Sequence, residues 1–171
     1  MNVLDKNDVV NYFFSLDPNR ELFNQKLITR NGASFYEGNA RLNKYLHLSQ
    51  NIYLAMTGKP LMDASFYAYS NGAVVPSIQK DYRLLSATSK NADVSMIPAE
   101  TKLFLKRVFI AFQYADIDEI IEIDHEDEAW IEKSREIDYE SQKIDSLKYV
   151  EEYKEQYADM IKVLGRMDVC L

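Results

Sequence analysis

Residues 41–76 constrain the fold of this chain more than any other stretch. Leu42, Tyr45, Leu46, Ser49, Ile52, Tyr53 and Met56 recur at the three-and-four spacing of one buried helix face. Arg41, Lys44, His47 and Asn51 fall mostly on the other face. Gly58 and Pro60 stop the helix, because Gly accepts a left-handed C-terminal conformation and Pro cannot continue the ladder. Phe66 to Tyr69 then reads as extended, Gly72 turns the chain, and Val74 and Val75 lead into Pro76 at the first turn of a second helix. The order is helix, crossing segment, tight turn, helix. No catalytic arrangement is visible within it.

The flanking sequence is also mostly helical. Asp5 is placed to cap a first helix carrying Val9, Val10, Phe13 and Phe14, which ends at Asp17 and Pro18. A short helix over residues 18–26 is one reading of the next segment. Asn31-Gly32 between Leu27-Ile28-Thr29 and Ser34-Phe35-Tyr36 predicts a hairpin. Asn39 is a candidate cap for the central helix. After Pro76, Ile78, Tyr82 and Leu85 space as a short amphipathic helix, and residues 86–95 read as a polar surface loop. Leu103, Phe104, Leu105, Val108, Phe109, Ile110 and Phe112 leave little polar face, so their helix belongs in the centre. Asp116 with Glu119 resembles a capping box opening a helix with Ile117, Ile120 and Ile121. In the tail, Leu147, Val150, Tyr153, Tyr157, Met160, Ile161 and Leu164 make one greasy stripe on a long charged surface helix that Gly165 ends, with loose final residues beyond. That stripe packs either on the domain or on a second copy, which leaves a homodimer open, although its spacing is no sustained heptad. With 5 Gly and 4 Pro in 171 residues, long loops are few, which favours helices over a turn-rich sandwich. The fold class is therefore mainly α: one compact multi-helix domain over residues 1–133, with a short hairpin or extended segments, and a C-terminal amphipathic helical extension over residues 134–171.

Charge and composition exclude several functions. A net charge of −7 leaves no general basic footprint for nucleic acid. No apolar run reaches the ~20 residues a membrane helix needs. The N-terminus has charges inside its apolar run and no signal-peptide pattern. The one cysteine, Cys170, can form no internal disulfide, so the chain reads as cytoplasmic.

His125 is the most tempting chemical residue, flanked by Asp124, Glu126, Asp127 and Glu128. A zinc site needs three or four ligands, however, and His47 is the only other histidine, with no His-Glu-x-x-His spacing. The plainer reading makes His125 a turn residue that bonds backbone groups and orients the helix carrying Trp130. Eight carboxylates lie in residues 116–128. They are either a docking surface for a basic partner or a solvated face with negative charge near helix starts. No phosphate-binding Gly loop or nucleophile elbow is present, Cys170 lies far from any orienting scaffold, and no cofactor is implied.

Two blocks carry a resemblance. Leu42, Lys44, Leu46, Leu48, Gln50, Tyr53, Leu54 and Ala55 fit a helix of the form Tyr-x-x-Gln-x-x-x-Leu-Ala. Thr57, Gly58, Lys59, Pro60 and Leu61 fit Thr-Gly-x-Pro-Leu, and Tyr69, Gly72, Val74, Val75 and Pro76 fit Tyr-x-x-Gly-Pro-Val-Val-Pro. Residues 123–131 are similar to a second block, Leu-Ser-His-x-Glu-x-Pro-Trp. Together these resemble the signature of the Panacea family, the phage-associated SocA-like antitoxins. Ala73 and Ala129 stand where that pattern has Pro. The resemblance implies a non-catalytic protein, carried by a prophage or mobile element, that neutralises a cognate protein toxin by direct binding. It makes Gln50, Tyr53, Tyr69, Gly72, Pro76, His125 and Trp130 the candidate motif or partner-binding residues. Competing readings are a metal-dependent hydrolase centred on His125, a DNA-binding regulator, which the charge opposes, and a phage accessory protein that binds another host factor.

Overall fold

The computed structural model describes residues 3–83 and 94–168. Strand β1 (Leu4–Asp5) leads into α1 (Lys6–Leu16), and the Asp5 carboxylate accepts the Asn7 N–H at 2.7 Å as its N-cap. Val9, Val10, Phe13 and Phe14 are buried as their spacing predicts. The short helix expected over residues 18–26 does not form. Asp17 is buried, and its carboxylate takes the N–H groups of Glu21, Leu22 and Phe23 at 2.9–3.0 Å, so those donors have no need of helical partners. This loop drives Phe23 into the core, where it packs with Phe13, Phe14, Tyr45 and Phe109 at centroid distances of 5.4–6.4 Å.

The predicted hairpin is present as β2 (Leu27–Arg30) and β3 (Ala33–Tyr36) around Asn31-Gly32, both at positive φ. It is fastened to the rest of the molecule by its turn. Arg30 pairs with Asp118 at 3.3 Å and Glu122 at 2.5 Å, and Asn71 donates to the Arg30 carbonyl. Helix α2 (Glu37–Thr57) follows directly, with Tyr36 as its N-cap, so Asn39 lies inside the helix and caps nothing.

The crossing segment contains β4 (Met62–Asp63), which pairs parallel with β1, then the hairpin β5 (Tyr67–Tyr69) and β6 (Gly72–Val74). Pro76 opens α3 (Pro76–Asp81) at its first turn, as expected. Leu85 and most of the predicted loop at residues 86–95 lie outside the described residues. Helix α4 (Ala99–Phe112) buries Phe104, Leu105, Val108, Phe109 and Phe112 against α1 and α2. Helix α5 (Ile117–His125) starts with a complete capping box, the Asp116 N–H on Glu119 and the Glu119 N–H on Asp116. Asp127 caps α6 (Glu128–Ser134).

The tail departs from one long helix. Residues Glu140–Gln142 and Ser146–Tyr149 make separate 3₁₀ turns, then α7 (Val150–Gln156) and α8 (Ala158–Arg166) follow, divided at Tyr157 and running past Gly165. Its stripe is no surface feature: Tyr153, Tyr157 and Leu164 belong to the same core as α2, while Leu147 is exposed. Helix α7 packs on α2, which is thus surrounded on nearly all sides. Mainly helical architecture with a few short strands is what the sequence predicts.

The helix-for-loop exchange at residues 18–26 rests on one carboxylate. Asp17→Ala leaves three partly or fully buried N–H groups without their acceptor, and stability measured by urea unfolding should fall by about 3 kcal/mol. Asp17→Asn, which keeps one acceptor oxygen, should lose less than half of that.

Candidate functional site

The face of α2 that carries Arg41, Lys44, His47 and Asn51 is not turned to solvent. All four residues are buried, as are Asn43, Ser49 and Gln50 on the same helix, whereas Met56 from the apolar series is half exposed. The reason lies in the segment that crosses this face. Strands β4, β5 and β6 are only two or three residues long, so their peptide groups cannot all be satisfied by one another. The side chains of α2 take over. Gln50 accepts the N–H groups of Leu61 and Met62 at 2.9 and 3.1 Å and donates to the Met62 carbonyl at 3.1 Å. Asn43 accepts the Val75 N–H at 2.9 Å, and Lys44 donates to the Ala73 carbonyl at 2.8 Å.

The charged members of this stripe meet two carboxylates from the other end of the chain. Asp124, in the last turn of α5, accepts from His47 Nδ1 at 2.8 Å and from the Ala73 N–H at 2.8 Å, with Lys44 Nζ at 3.6 Å. Asp127 faces the opposite ring nitrogen. Its Oδ2 lies 3.1 Å from His47 Nε2, and its Oδ1 accepts the Ala129 N–H at 2.9 Å and the Tyr153 hydroxyl at 2.8 Å. Asn51 also donates to Asp127, and Tyr157 lies beside Asn51. His47 is thus clamped between two carboxylates at zero exposure. Burial alone would lower its pKa, but Asp124 and Asp127 outweigh that and hold it at about 9, so the ring is a cation with both nitrogens donating. Burial opposes the charge of Asp124 too, and His47 and Lys44 overcome it and hold the carboxyl below its ordinary range. Burial lowers Lys44 against the pull of Asp124. Each of these four groups has further hydrogen-bond partners, which is the condition for tolerating buried polar and charged groups.

Gly72 makes the approach close enough. It sits at φ +103°, and a Cβ there would stand 2.6 Å from both Asp124 Oδ2 and Lys44 Cε. Ala73 and Ala129, the two positions where proline stands in the resembling pattern, each supply a backbone N–H that proline lacks. Those two N–H groups go one to Asp124 and one to Asp127.

The predicted site residues fall into two groups. Tyr69, Gly72, His125 and Trp130 are brought together: Tyr69 pairs with Gly72 across the β5–β6 hairpin, Trp130 Nε1 donates to the Tyr69 carbonyl at 3.0 Å, and the His125 ring stacks on Trp130 at 4.2 Å. His125 orients Trp130 by that stack and has no hydrogen bond at Nε2, so the expected backbone bonding of its ring is absent there. Gln50 is buried under the Leu61–Met62 peptide groups, Tyr53 packs edge-on against Phe104 at 5.7 Å, and Pro76 opens α3. Among the described residues, no three His, Cys, Asp or Glu side chains are placed to hold a metal ion, and no helix is long and apolar enough to cross a membrane.

The pattern of α2, the turn at Gly72 and the Asp124-to-Trp130 segment thus form one unit, and comparison with known proteins singles out the same stretch. Residues 42–131, just over half of the chain, match the family described as antitoxin SocA-like, Panacea domain. The chain belongs to this family. No curated protein and no solved structure matches it. The Panacea domain supplies Lys44, His47, Asn51, Asp124 and Asp127, while Tyr153 and Tyr157, which close the cluster, come from beyond the matched region.

Sequence reasoning missed the buried cluster, although one signal pointed to it. Residues 38–57 contain Arg41, Lys44 and His47 and no Asp or Glu. A solvated helix face normally mixes both signs. A purely basic one in a chain of net charge −7 needs its carboxylates from elsewhere.

Two predictions follow from the clamp around His47. Because its pKa is raised from 6.5 to about 9, its stabilising contribution is complete below pH 6.5 and is lost as pH rises through 9. That loss amounts to about 3 kcal/mol in urea unfolding, and the imidazole resonances of His47 should titrate near pH 9, not near 6.5. Tyr153→Phe removes one hydrogen bond to a buried carboxylate and should cost about 2 kcal/mol, placing the tail in the same cooperative unit as the Panacea domain.

Proposed function

We infer that this protein is a non-catalytic antitoxin, which neutralises a partner toxin by binding it directly. The observation that carries this reading is the sealed state of the acid–base constellation around His47. His47, Asp124 and Asp127 are the residues a hydrolase would need in a cleft, and here they are at most 1% exposed and fully engaged with one another. Their chemistry is spent on holding α2 to the α5–α6 junction, so the surface is left as the working part of the molecule. Family membership supports the same reading, since the family is described as antitoxin-like.

A hydrolase centred on His125 finds no support in the geometry. The ring is stacked on Trp130, and its nearest carboxylate, Glu122, lies 3.9 Å away and is already paired with Arg30. The toxin, on this reading, is a protein encoded next to this chain and acting in the cytoplasm.

Co-expression is the direct test. Induction of the adjacent gene alone should arrest growth, and this chain expressed with it should restore growth and co-purify with its product in fixed stoichiometry. A toxic neighbour that is neither bound nor silenced by this chain would reject the proposal, as would a neighbour without toxicity.

A further inference from the structure

Beside the Tyr69–Trp130 contact one exposed ring, Tyr139, lies among the half-buried rings of Tyr67, Tyr69 and Trp130. Tyr139, in the tail, stacks flat on Tyr67 with centroids 4.6 Å apart and planes 5° from parallel. One face of Tyr139 is thereby covered, yet the residue remains 46% exposed, so its other face is open. Tyr69 stands two residues beyond Tyr67 in β5 and so shares its face of the strand. The His125–Trp130 stack adjoins them through the Tyr69 carbonyl, and Ile137, 98% exposed, stands two residues before Tyr139. Beside Tyr69 lies a hollow of about 370 Å³ lined by Ala68, Tyr69, Ser70, Ser134 and Gln142.

Two features decide what such a surface can recognise. First, β5 offers no free edge. It pairs with β6 on one side, and on the other the Phe66 carbonyl takes the Ile144 N–H at 2.8 Å, Tyr67 bridges to Lys143, and the Tyr69 carbonyl is held by Trp130. A partner cannot add a strand here, so recognition must run through side chains. Second, the surroundings are acidic. Residues 122–143 carry nine carboxylates, of which only Asp124 and Asp127 are buried, against three Lys or Arg. Open ring faces within a carboxylate field suit a guanidinium, which stacks on aromatic planes and donates to carboxylates in fork geometry, better than an ammonium, which does only the second well.

We propose that this surface receives an arginine-bearing segment of the partner protein. The guanidinium lies on the open face of Tyr139, and the exposed carboxylate of Glu140, the next residue in the chain, accepts its N–H groups. This deepens the antitoxin reading and rests on it, because it names where the toxin docks and what it must present. It also assigns a role to the tail, since Tyr139, Gln142 and Glu140 lie beyond the region matched by the family.

The test uses the full chain and its one tryptophan, Trp130, which reports directly on this surface. A short synthetic peptide alternating arginine and serine is titrated while Trp130 emission is followed, beside lysine and glutamate counterparts of equal length. The expected result is a saturable change with the arginine peptide, several-fold weaker with lysine and none with glutamate. Tyr139→Ala and Glu140→Gln should each weaken arginine-peptide binding about three- to tenfold, while Tyr139→Phe keeps it. No saturable change, equal response to arginine and lysine, or indifference to Tyr139→Ala would overturn the proposal. Tyr139→Ala carried into the growth-rescue assay separates the two ideas. Rescue by the wild-type chain and equally by the variant removes this docking surface but leaves the antitoxin standing. Failure of the wild-type chain removes the antitoxin, and the peptide titration still decides the surface.

Discussion

The imidazolium of His47 between Asp124 and Asp127 is the contact on which the rest of the structure depends. It joins the middle of α2 to the junction of α5 and α6, elements 77 and 76 residues apart along the chain in the two hydrogen-bonded pairs that flank it. A buried ion pair seldom adds much net stability over a well-packed apolar contact, because the desolvation of both charges must first be recovered. What it adds is a definite geometry. The two ring nitrogens of His47 point in fixed directions, and each finds one carboxylate oxygen. Sliding α5 by one turn along α2 would leave four buried charges unpaired, an error far more costly than a misplaced leucine. Apolar packing around α2, by contrast, tolerates many arrangements of similar volume.

The same contact explains why the crossing segment can be so irregular. Residues 58–75 have little regular secondary structure, only the short strands β4, β5 and β6, yet eight of the eighteen residues are buried. Buried peptide groups outside helices and sheets need other partners. Gln50, Asn43 and Lys44 provide them from one side, and Asp124 provides one from the other. The segment is therefore held as a filling between two polar surfaces. Ala73 and Ala129 fit this scheme. Each departs from the family pattern by restoring an N–H, and both N–H groups end on the two carboxylates that grip His47. Two departures far apart in sequence thus act on one site.

Much of the fold was legible in the sequence because it follows from periodicity and punctuation. Asp5 as a cap, the Asn31-Gly32 turn, Pro76 at the start of α3 and the Asp116–Glu119 box are local devices, and a local reading finds them. The failures share a cause. A polar residue on a helix is read as solvent-facing unless something says otherwise, and what says otherwise for Lys44 and His47 is a pair of aspartates near the far end of the chain. Asp124 and Asp127 were in turn absorbed into an acidic run whose other members are indeed exposed. The helix expected at residues 18–26 failed for a related reason. The competitor was the Asp17 side chain, which satisfies three N–H groups at once and makes a loop as good as a turn of helix. Tyr153 and Tyr157 were placed on the right stripe, and of its two possible partners, the domain or a second copy, the structure packs it on the domain, on two short helices where one long one was expected. Of the candidate site, the motif named Tyr69, Gly72, His125 and Trp130, which the fold brings together, but not the charges that position them.

Those two sets of residues are mechanically linked. Asp127 accepts from His47 and Tyr153 in the core and, through the Ala129 N–H, fixes the first turn of α6. Trp130 follows immediately and holds the Tyr69 carbonyl, so the outer rings take their positions from the inner charges. An adhesive protein gains from such an arrangement, because a surface whose side chains are already fixed loses less entropy when a partner arrives. It also leaves the exposed positions free to vary, since none of the buried partners of His47 reaches solvent. A scaffold built this way can keep one interior while presenting different rings and charges outside, and in this chain the tail that contributes Tyr139 to the surface also contributes Tyr153 to the core.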